Sequence, residues 1–298
     1  MAEKSWLTDI PELDRASLLA IRKTLDGGYR DFSREYGDAI ETFFDPLLSF
    51  LIWFEKLLLN SPWFVVLGAI VALAYLASRS TKLTVGIAIA LMVVGYFGMW
   101  DNTMRTMSII TVCTLLAIIL GIPIGISMAR SNKVQATVTP ILDVMQTMPA
   151  FVYLIPVVML LGIGRIPGVI AVVIYAIPPV IRLTNLGIRL VDKEVLEAAT
   201  AYGANPRQRL LGVQLPLAMP TIMAGINQTI MMALSMVVIA SMIGVKGLGQ
   251  PVLQSITNQY FTLGLLNGLA IVVLAIMFDR VSQAYAKRSQ AHLGGGHE

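Results

Sequence analysis

TMSIITVCTLLAIILGIPIGISMA, residues 106–129, runs for 24 residues without an ionised side chain. A helix needs roughly 20 mostly apolar residues to cross a bilayer core, so this stretch reads as a membrane span. Six further charge-free stretches flank it: Leu57–Ser78, Leu83–Trp100, Val144–Gly164, Ile166–Ile181, Leu210–Val245 and Gly247–Phe278. Together the seven hold 169 of the 298 residues. The runs are continuous and contain Gly and Pro, whereas barrel strands alternate apolar and polar residues in segments of about ten. The fold class is therefore all-α transmembrane with about seven spans. At 56% hydrophobic and 13% charged residues, the chain has no room for a soluble catalytic or nucleotide-binding domain. No G-x-x-x-x-G-K-[ST] phosphate loop occurs in it.

Single-residue chemistry is sparse. Cys113 sits inside an apolar run and reads as a small packing residue, not as half of a disulfide or a metal ligand. His292 and His297 fall in the Gly-rich C-terminal tail, where a metal or acid-base role is not expected. The first 40 residues lack the apolar core of a signal peptide, so the spans themselves are expected to direct insertion.

Charge asymmetry sets the expected topology. If the runs alternate sides, one set of loops and the C-terminal tail holds Arg79, Lys82, Arg130, Lys133, Arg182, Arg189, Lys193, Arg207, Arg209, Arg280, Lys287 and Arg288. The other short loops hold only Arg105, Arg165 and Lys246. The positive-inside rule then places the C-terminus in the cytoplasm and the N-terminus outside. Residues 1–60 carry a net charge of −4 and the remainder +8, in keeping with that orientation. The basic balance belongs to cytoplasmic loops, and nucleic acid is not an expected partner. Within the acidic tail, Ile40, Phe43, Phe44, Leu47, Leu51, Phe54 and Leu58 recur at three- and four-residue spacing, which predicts an amphipathic helix over 37–59. Trp53 and Trp63 suit a helix lying on the outer interface, with packing against the first two spans as the alternative.

The longest hydrophilic interruption, 183–209, reads as two short helices meeting at a corner. Asp192 is placed to cap the first, and Glu194-Val195-Leu196-Glu197-Ala198-Ala199-Thr200-Ala201-Tyr202 is rich in helix formers. Gly203 stands where a left-handed C-terminal residue belongs. Asn205-Pro206 opens a second helix as N-cap and first-turn proline, leading through Arg207 and Arg209 into the sixth run. Val195, Leu196, Ala198, Ala199 and Tyr202 have no membrane run to bury them, which makes the first helix an expected docking knob.

At this loop a resemblance becomes specific. Glu197-Ala198-Ala199, three residues, Gly203, nine residues, Val213, one residue and Leu215-Pro216 resembles the EAA signature of bacterial ABC-importer permeases, with Val213 in a place where Ile is usual. Met145–Tyr153, Pro178–Arg182, Gln214–Pro220 and Leu234–Gly244 are similar to the permease subunits of proline/glycine betaine importers. The resemblance covers about 101–280. It implies a type I importer core (MetI-like) of five spans with a coupling loop at 183–209, preceded by a polar extracytoplasmic tail (1–36), the amphipathic helix (37–59) and two accessory spans (60–100), and followed by a cytoplasmic tail (281–298). It also implies a second permease copy, two ATPase subunits that bind the ATP and Mg, and an extracytoplasmic substrate-binding protein. This chain itself would bind no cofactor or metal and catalyse nothing. Glu194, Glu197, Ala198, Ala199, Tyr202, Gly203, Asn205 and Arg207 are the expected ATPase-coupling residues.

The membrane interior narrows the expected solute. An ionised side chain deep in a bilayer marks an ion or proton path, but Asp143, Arg105 and Arg165 all lie near ends of runs. No acidic relay favours a secondary transporter, and a neutral path suits a zwitterion. Candidate pathway residues are Met148 and Phe151 in the fourth run, and Asn227, Met231, Met232, Ser235 and Met236 with neighbouring Gln228, Thr229 and Ser241 in the sixth. Ordinary packing, with Ser and Thr bonded to their own helix, accounts equally well for each taken singly. Gly121 and Gly125 form a small-xxx-small pair around Pro123, expected at a close helix contact. Trp100, Tyr153 and Tyr175 are the aromatics available for a quaternary-ammonium cage. The resemblance implies import of glycine betaine, proline betaine, choline, carnitine or trimethylamine N-oxide; an osmotically gated channel or membrane sensor is the competing reading.

Overall fold

The computed structural model describes residues 13–291, so His292 and His297 lie outside the described residues. Among these the chain is helical throughout, without a strand. The helices are α1 (Arg15–Asn60), α2 (Trp63–Ser78), α3 (Thr81–Tyr96), α4 (Trp100–Arg130), α5 (Asn132–Thr147), α6 (Leu154–Leu161), α7 (Arg165–Ala176), α8 (Pro178–Arg189), α9 (Lys193–Ala201), α10 (Pro206–Arg209), α11 (Leu215–Ala240), α12 (Gly249–Asn258) and α13 (Phe261–Ala291). Four continuous helical stretches are long and apolar enough to cross a membrane: 100–130, 165–189, 206–243 and 261–288. Two more of the apolar runs fall in bent pairs, and the remaining one forms α3, a 16-residue apolar helix.

Both bends have a local cause. α1 and α2 meet at 112°, as do α5 and the helical segment 150–161. Each break falls at an X-Pro step, Ser61-Pro62 and Met148-Pro149. Proline's ring pushes the preceding residue out of the helical region, and Ser61 (φ −75°, ψ 146°) and Met148 (φ −70°, ψ 133°) are both extended. A further run, 247–278, divides into α12 and α13 where Gln259 turns left-handed at φ 59°.

The N-terminal helix is longer than the sequence periodicity suggests. It begins at Arg15, capped by Asp14, not at residue 37, so residues 15–36 of the expected polar tail are helical. Nor does it pack on the first two spans. Its N-terminal half lies across α6: the Tyr29 hydroxyl donates to the Pro156 carbonyl, and Ser33 Oγ donates to the Leu160 carbonyl at 3.0 Å. Its C-terminal half rests on α4 and α7. There the buried Glu55 carboxylate accepts two hydrogen bonds from Arg165, at 2.9 and 3.3 Å, with Arg105 at 4.0 Å on its other side. Phe43 and Trp53 remain exposed on the opposite face, as an interfacial helix requires.

Close helix packing is organised around α8. On one side α4 presents Gly121 and Gly125; a Cβ added at Gly125 would lie 2.6 Å from Thr184 Cβ and 2.7 Å from the Ile181 carbonyl oxygen. On the other side α11 presents Gly225, where a Cβ would meet Leu183 Cβ at 2.9 Å and the Pro179 carbonyl at 3.2 Å. Lipid chains are as apolar as Leu, so helices in a bilayer gain little from hydrophobic burial alone and associate through close backbone packing at small residues. The small-xxx-small expectation at Gly121 and Gly125 is met. Beside this contact Ala117, Met128, Val180 and Ile181 form a small buried cluster, while the larger core, where Met104, Ile110, Val172, Met236, Leu248 and Leu274 are essentially fully buried, contains no residue of α8.

Replacing Gly125 with Ala is expected to destabilise the detergent-solubilised chain by about 1–3 kcal/mol, because backbone on the far side cannot yield. Gly68→Ala, whose added Cβ meets nothing within 4 Å, should leave the thermal midpoint unchanged or raise it. Equal midpoints for the two variants would show that α4 and α8 are not in backbone contact.

Candidate functional site

The loop that leaves α8 is built by capping chemistry. Asp192 Oδ1 accepts from the Glu194 amide at 2.9 Å and starts α9. At its other end Ala204 N–H reaches back to the Ala199 carbonyl (3.0 Å) and Gly203 N–H to the Thr200 carbonyl (2.9 Å), the paired bonds of a Schellman ending. Gly203 supplies the left-handed residue this ending needs, at φ 83°. Asn205 then closes a capping box: its side chain accepts from the Arg207 and Gln208 amides, and Gln208 Oε1 accepts from the Asn205 amide at 2.9 Å. Arg209 Nη1 donates to Thr200 Oγ1 at 3.3 Å and staples α10 to α9. A single π turn, Leu210–Gln214, joins α10 to α11.

This corner presents a defined face. Glu194, Val195, Glu197, Ala198, Gly203, Asn205 and Arg207 are exposed, and Tyr202 is 93% exposed. Among the described residues neither Glu194 nor Glu197 forms an ion pair. Two residues differ from the sequence expectation of an all-docking helix. Leu196 turns inward onto the cluster of Ile188, Val191, Leu210, Ala218 and Ile222, and Ala199 is half-buried. That small core attaches the corner to α8 and α11. Arg189, the last residue of α8, completes the attachment by donating from Nε to Asn185 (3.0 Å) and from Nη2 to the Met128 carbonyl at the end of α4 (2.8 Å).

The expected pathway residues do not form one cluster. Met236 is fully buried in the main core. Asn227 donates to Asp279 Oδ1 at 2.8 Å and accepts from Ser282, so it joins α11 to α13 in a packing position. Met231 and Met232 are half-buried against the core, as is Met148. Ser235 is exposed but its hydroxyl donates to the Met231 carbonyl of its own helix, and Ser241 likewise bonds Val238. Gln228 and Ser235 share the exposed side of α11 with Ala224, and Phe151 is exposed elsewhere, before α6. Tyr153 and Tyr175 meet edge-to-face at 5.7 Å, while Trp100 lines a separate cavity with Trp63 and Tyr96. The three aromatics therefore make no common cage in this conformation. Among the described residues no cluster of metal-ligating side chains occurs.

Several structural polar contacts were not singled out from the sequence. Glu55 lies four residues after Leu51 and three before Leu58, within the apolar stripe, and that register was the available signal for its burial. Asp143 pairs with Arg182 across α5 and α8; nothing in the sequence spacing announces that partnership.

A family model described as the binding-protein-dependent transport system inner membrane component matches residues 121–290. The chain belongs to that family. The match begins about two thirds of the way along α4 and takes in all of α8, the α9–α10 corner and α11. Among curated relatives, the glycine betaine/proline betaine transport system permease protein ProW of Escherichia coli (strain K12) is 49% identical over 240 residues, 80% of this chain and 67% of that protein. The glycine betaine/carnitine transport permease protein GbuB of Listeria monocytogenes is 45% identical over 77% of this chain and 82% of its own length. The trimethylamine N-oxide transport system permease protein TmoV of Pelagibacter ubique is 37% identical over 78% of this chain and 32% of its length. This chain thus spans about two thirds of its ProW relative and a smaller part of TmoV. A solved structure of inward-facing conformations of the MetNI methionine ABC transporter shares the fold, with a TM-score of 0.57 and 20% identity over 62% of this chain and 93% of that one. The family member described here is an inner-membrane transport component with the all-helical type I importer fold.

Substituting Asn205 by Ala removes the side-chain half of the capping box, the bonds accepted from the Arg207 and Gln208 amides, at about 1 kcal/mol of local stability. Hydrogen exchange at the Arg207 and Gln208 amides should accelerate severalfold while amides in α8 keep their protection. Unchanged exchange at 207 and 208 would mean the corner is held by something other than its caps.

Proposed function

We propose that this chain is the membrane-spanning permease of an ATP-driven importer for glycine betaine or a related compatible solute such as proline betaine, choline, carnitine or trimethylamine N-oxide. The observation that carries the proposal is the capped, exposed α9–α10 corner fixed onto α8 and α11 inside the segment that matches the family. Support for the solute class comes from relatives at 37–49% identity whose names specify betaine, carnitine or trimethylamine N-oxide transport. The paired or bonded state of Glu55, Asp143 and Asp279 leaves no acidic relay for ion coupling, which favours an ATP-driven path for a zwitterion.

In this reading two copies of the chain form the path, two ATPase subunits holding ATP and Mg engage Glu194, Glu197, Ala198, Tyr202, Gly203, Asn205 and Arg207, and an extracytoplasmic binding protein delivers the solute. The half-buried Ala199 sets how closely the partner approaches. The basic loops and the C-terminal tail face the cytoplasm and the N-terminus faces outward. The chain hydrolyses nothing. ATP-driven closure of the ATPases displaces α9, and α8 carries that displacement into α4 and α11. Gln228 and Ser235, exposed on α11, line the path when the states interchange, with the half-buried Met231 and Met232 free to repack.

The test is accumulation of radiolabelled glycine betaine by proteoliposomes containing the permease, its ATPase and its binding protein. Accumulation is expected only with ATP supplied to the ATPase side. Changing Glu197 to Ala and Gly203 to Val together should cut it at least about tenfold, since a β-branched residue at a left-handed position costs roughly 1–2 kcal/mol and an exposed contact is lost as well. Solute binding by the separate binding protein should not change. ATP-independent leak of betaine would contradict the importer and favour a channel.

A further inference from the structure

A second feature lies away from the α9–α10 corner. It is a groove of about 650 Å³ between the end of α1, the length of α2, and the facing sides of α4 and α13. Phe54, Leu58, Val66, Ile70, Met277 and Phe278 are among its walls, and its only polar lining residues are Ser61 and Thr111. The Thr111 hydroxyl is already spent on the Met107 carbonyl of its own helix, so apart from Ser61 at the α1–α2 bend the walls are apolar. At the rim Leu57, Val65 and Leu73 are exposed, so the groove opens sideways from the protein. At about 300–1,000 Å³, binding cavities take whole small ligands, and an apolar one this size at bilayer depth fills with apolar chain.

One end of the groove is charged. Ala77 and Val281 line it there, and Arg288, two turns beyond Val281, donates from Nη1 to the Leu76 carbonyl at 2.8 Å. That bond brings the guanidinium to the C-terminal turn of α2. Arg79 follows immediately in a left-handed conformation at φ 52°, with Lys82 in the first turn of α3 and Lys287 beside Arg288. No Asp or Glu occurs between Glu55 and Asp101, and none between Asp279 and Glu298. Asp279 is itself occupied by Asn227 and Gln283. The basic end therefore has no acidic side chain nearby in sequence to neutralise it.

We propose that this groove holds one anionic phospholipid, an acyl chain against α2 and α13 and its phosphate at Arg79, Lys82 and Arg288. Length, polarity and charge run in the same direction along the groove as along a lipid: apolar wall first, cations at the rim. A lipid seated there fills the space between the accessory helix α2 and α13, whose own direct link is otherwise the Arg288 bond and the walls at the groove's base. A second copy of the chain would cover the apolar wall equally well but gains nothing from an uncompensated cation cluster, which repels its own twin.

The test is native mass spectrometry of the full chain, titrated with palmitoyl-oleoyl phosphatidylglycerol or the same acyl chains on phosphatidylcholine. One phosphatidylglycerol should be retained per chain, at least about tenfold more tightly than phosphatidylcholine, because each basic group near a phosphate contributes about fivefold. Changing Arg79 and Lys82 together to Gln touches exposed side chains and should erase that preference while leaving phosphatidylcholine retention unchanged. Ala69→Phe, which fills the groove from α2, should abolish retention of both lipids. Equal retention of the two lipids by the unaltered chain, or phosphatidylglycerol retention insensitive to both variants, would overturn the proposal. So would efficient disulfide formation between chains carrying Ala69→Cys, since that outcome makes the groove a chain–chain interface; the native Cys113 is fully buried and does not interfere.

Discussion

The backbone contact of α8 with α4 and α11 is the constraint on which the rest of the structure depends. It exists because three glycines, Gly121, Gly125 and Gly225, remove the side chains that would hold the helices apart. In a bilayer close packing at small residues is a main source of tight association beside interhelical hydrogen bonds, since apolar side chains gain little over lipid by touching one another. The consequence is mechanical. α8 runs straight into the α9 corner, its last residue Arg189 is bonded to the end of α4, and Leu196 of α9 packs on α11 residues through Ala218 and Ile222. A push on α9 meets no slack before it reaches two long helices.

Charge fixes the opposite end. Glu55 between Arg165 and Arg105 ties α1 to α7 and α4 where the spans leave the apolar layer. A buried pair is weak evidence for stability, because desolvation offsets most of the attraction, yet removing one partner would strand the other charge. The arrangement works as a register pin: α1 can lie along the bundle in one position only. Together with the Tyr29 and Ser33 bonds to α6 carbonyls, it makes the N-terminal helix a brace on the outside of the bundle.

Much of this was legible in the sequence. Charge-free runs located the four long apolar helical stretches, the two bent pairs and the shorter α3, because desolvating an ionised group is the dominant local cost in lipid. The α9–α10 corner was readable almost residue by residue, since Asp192, Gly203, Asn205 and Pro206 act through bonds to their immediate neighbours. The bends at Ser61-Pro62 and Met148-Pro149 were equally local, yet run-counting passes over them because proline is uncharged. What escaped were contacts between distant segments: Glu55 with Arg165, Asp143 with Arg182, Asn227 with Asp279. Periodicity says that a residue faces something, not which helix it faces. For the same reason Met236 read as a candidate pathway residue and is a core residue, and Leu196 read as a docking residue and faces inward.

In the proposed importer α4, α8 and α9 move as one body when the ATPases close. Double electron–electron resonance between spin labels on Asp101→Cys at the start of α4 and Lys193→Cys at the start of α9 measures that directly. Thirty-one residues of α4 separate the labelled end from the α8–α9 side, roughly 46 Å at 1.5 Å per residue, within the range of the method. In the reconstituted complex the distance distribution should be the same with and without ATP. A nucleotide-dependent shift of several ångströms within the chain would show that the loop moves independently of the helices and would contradict coupling through α8.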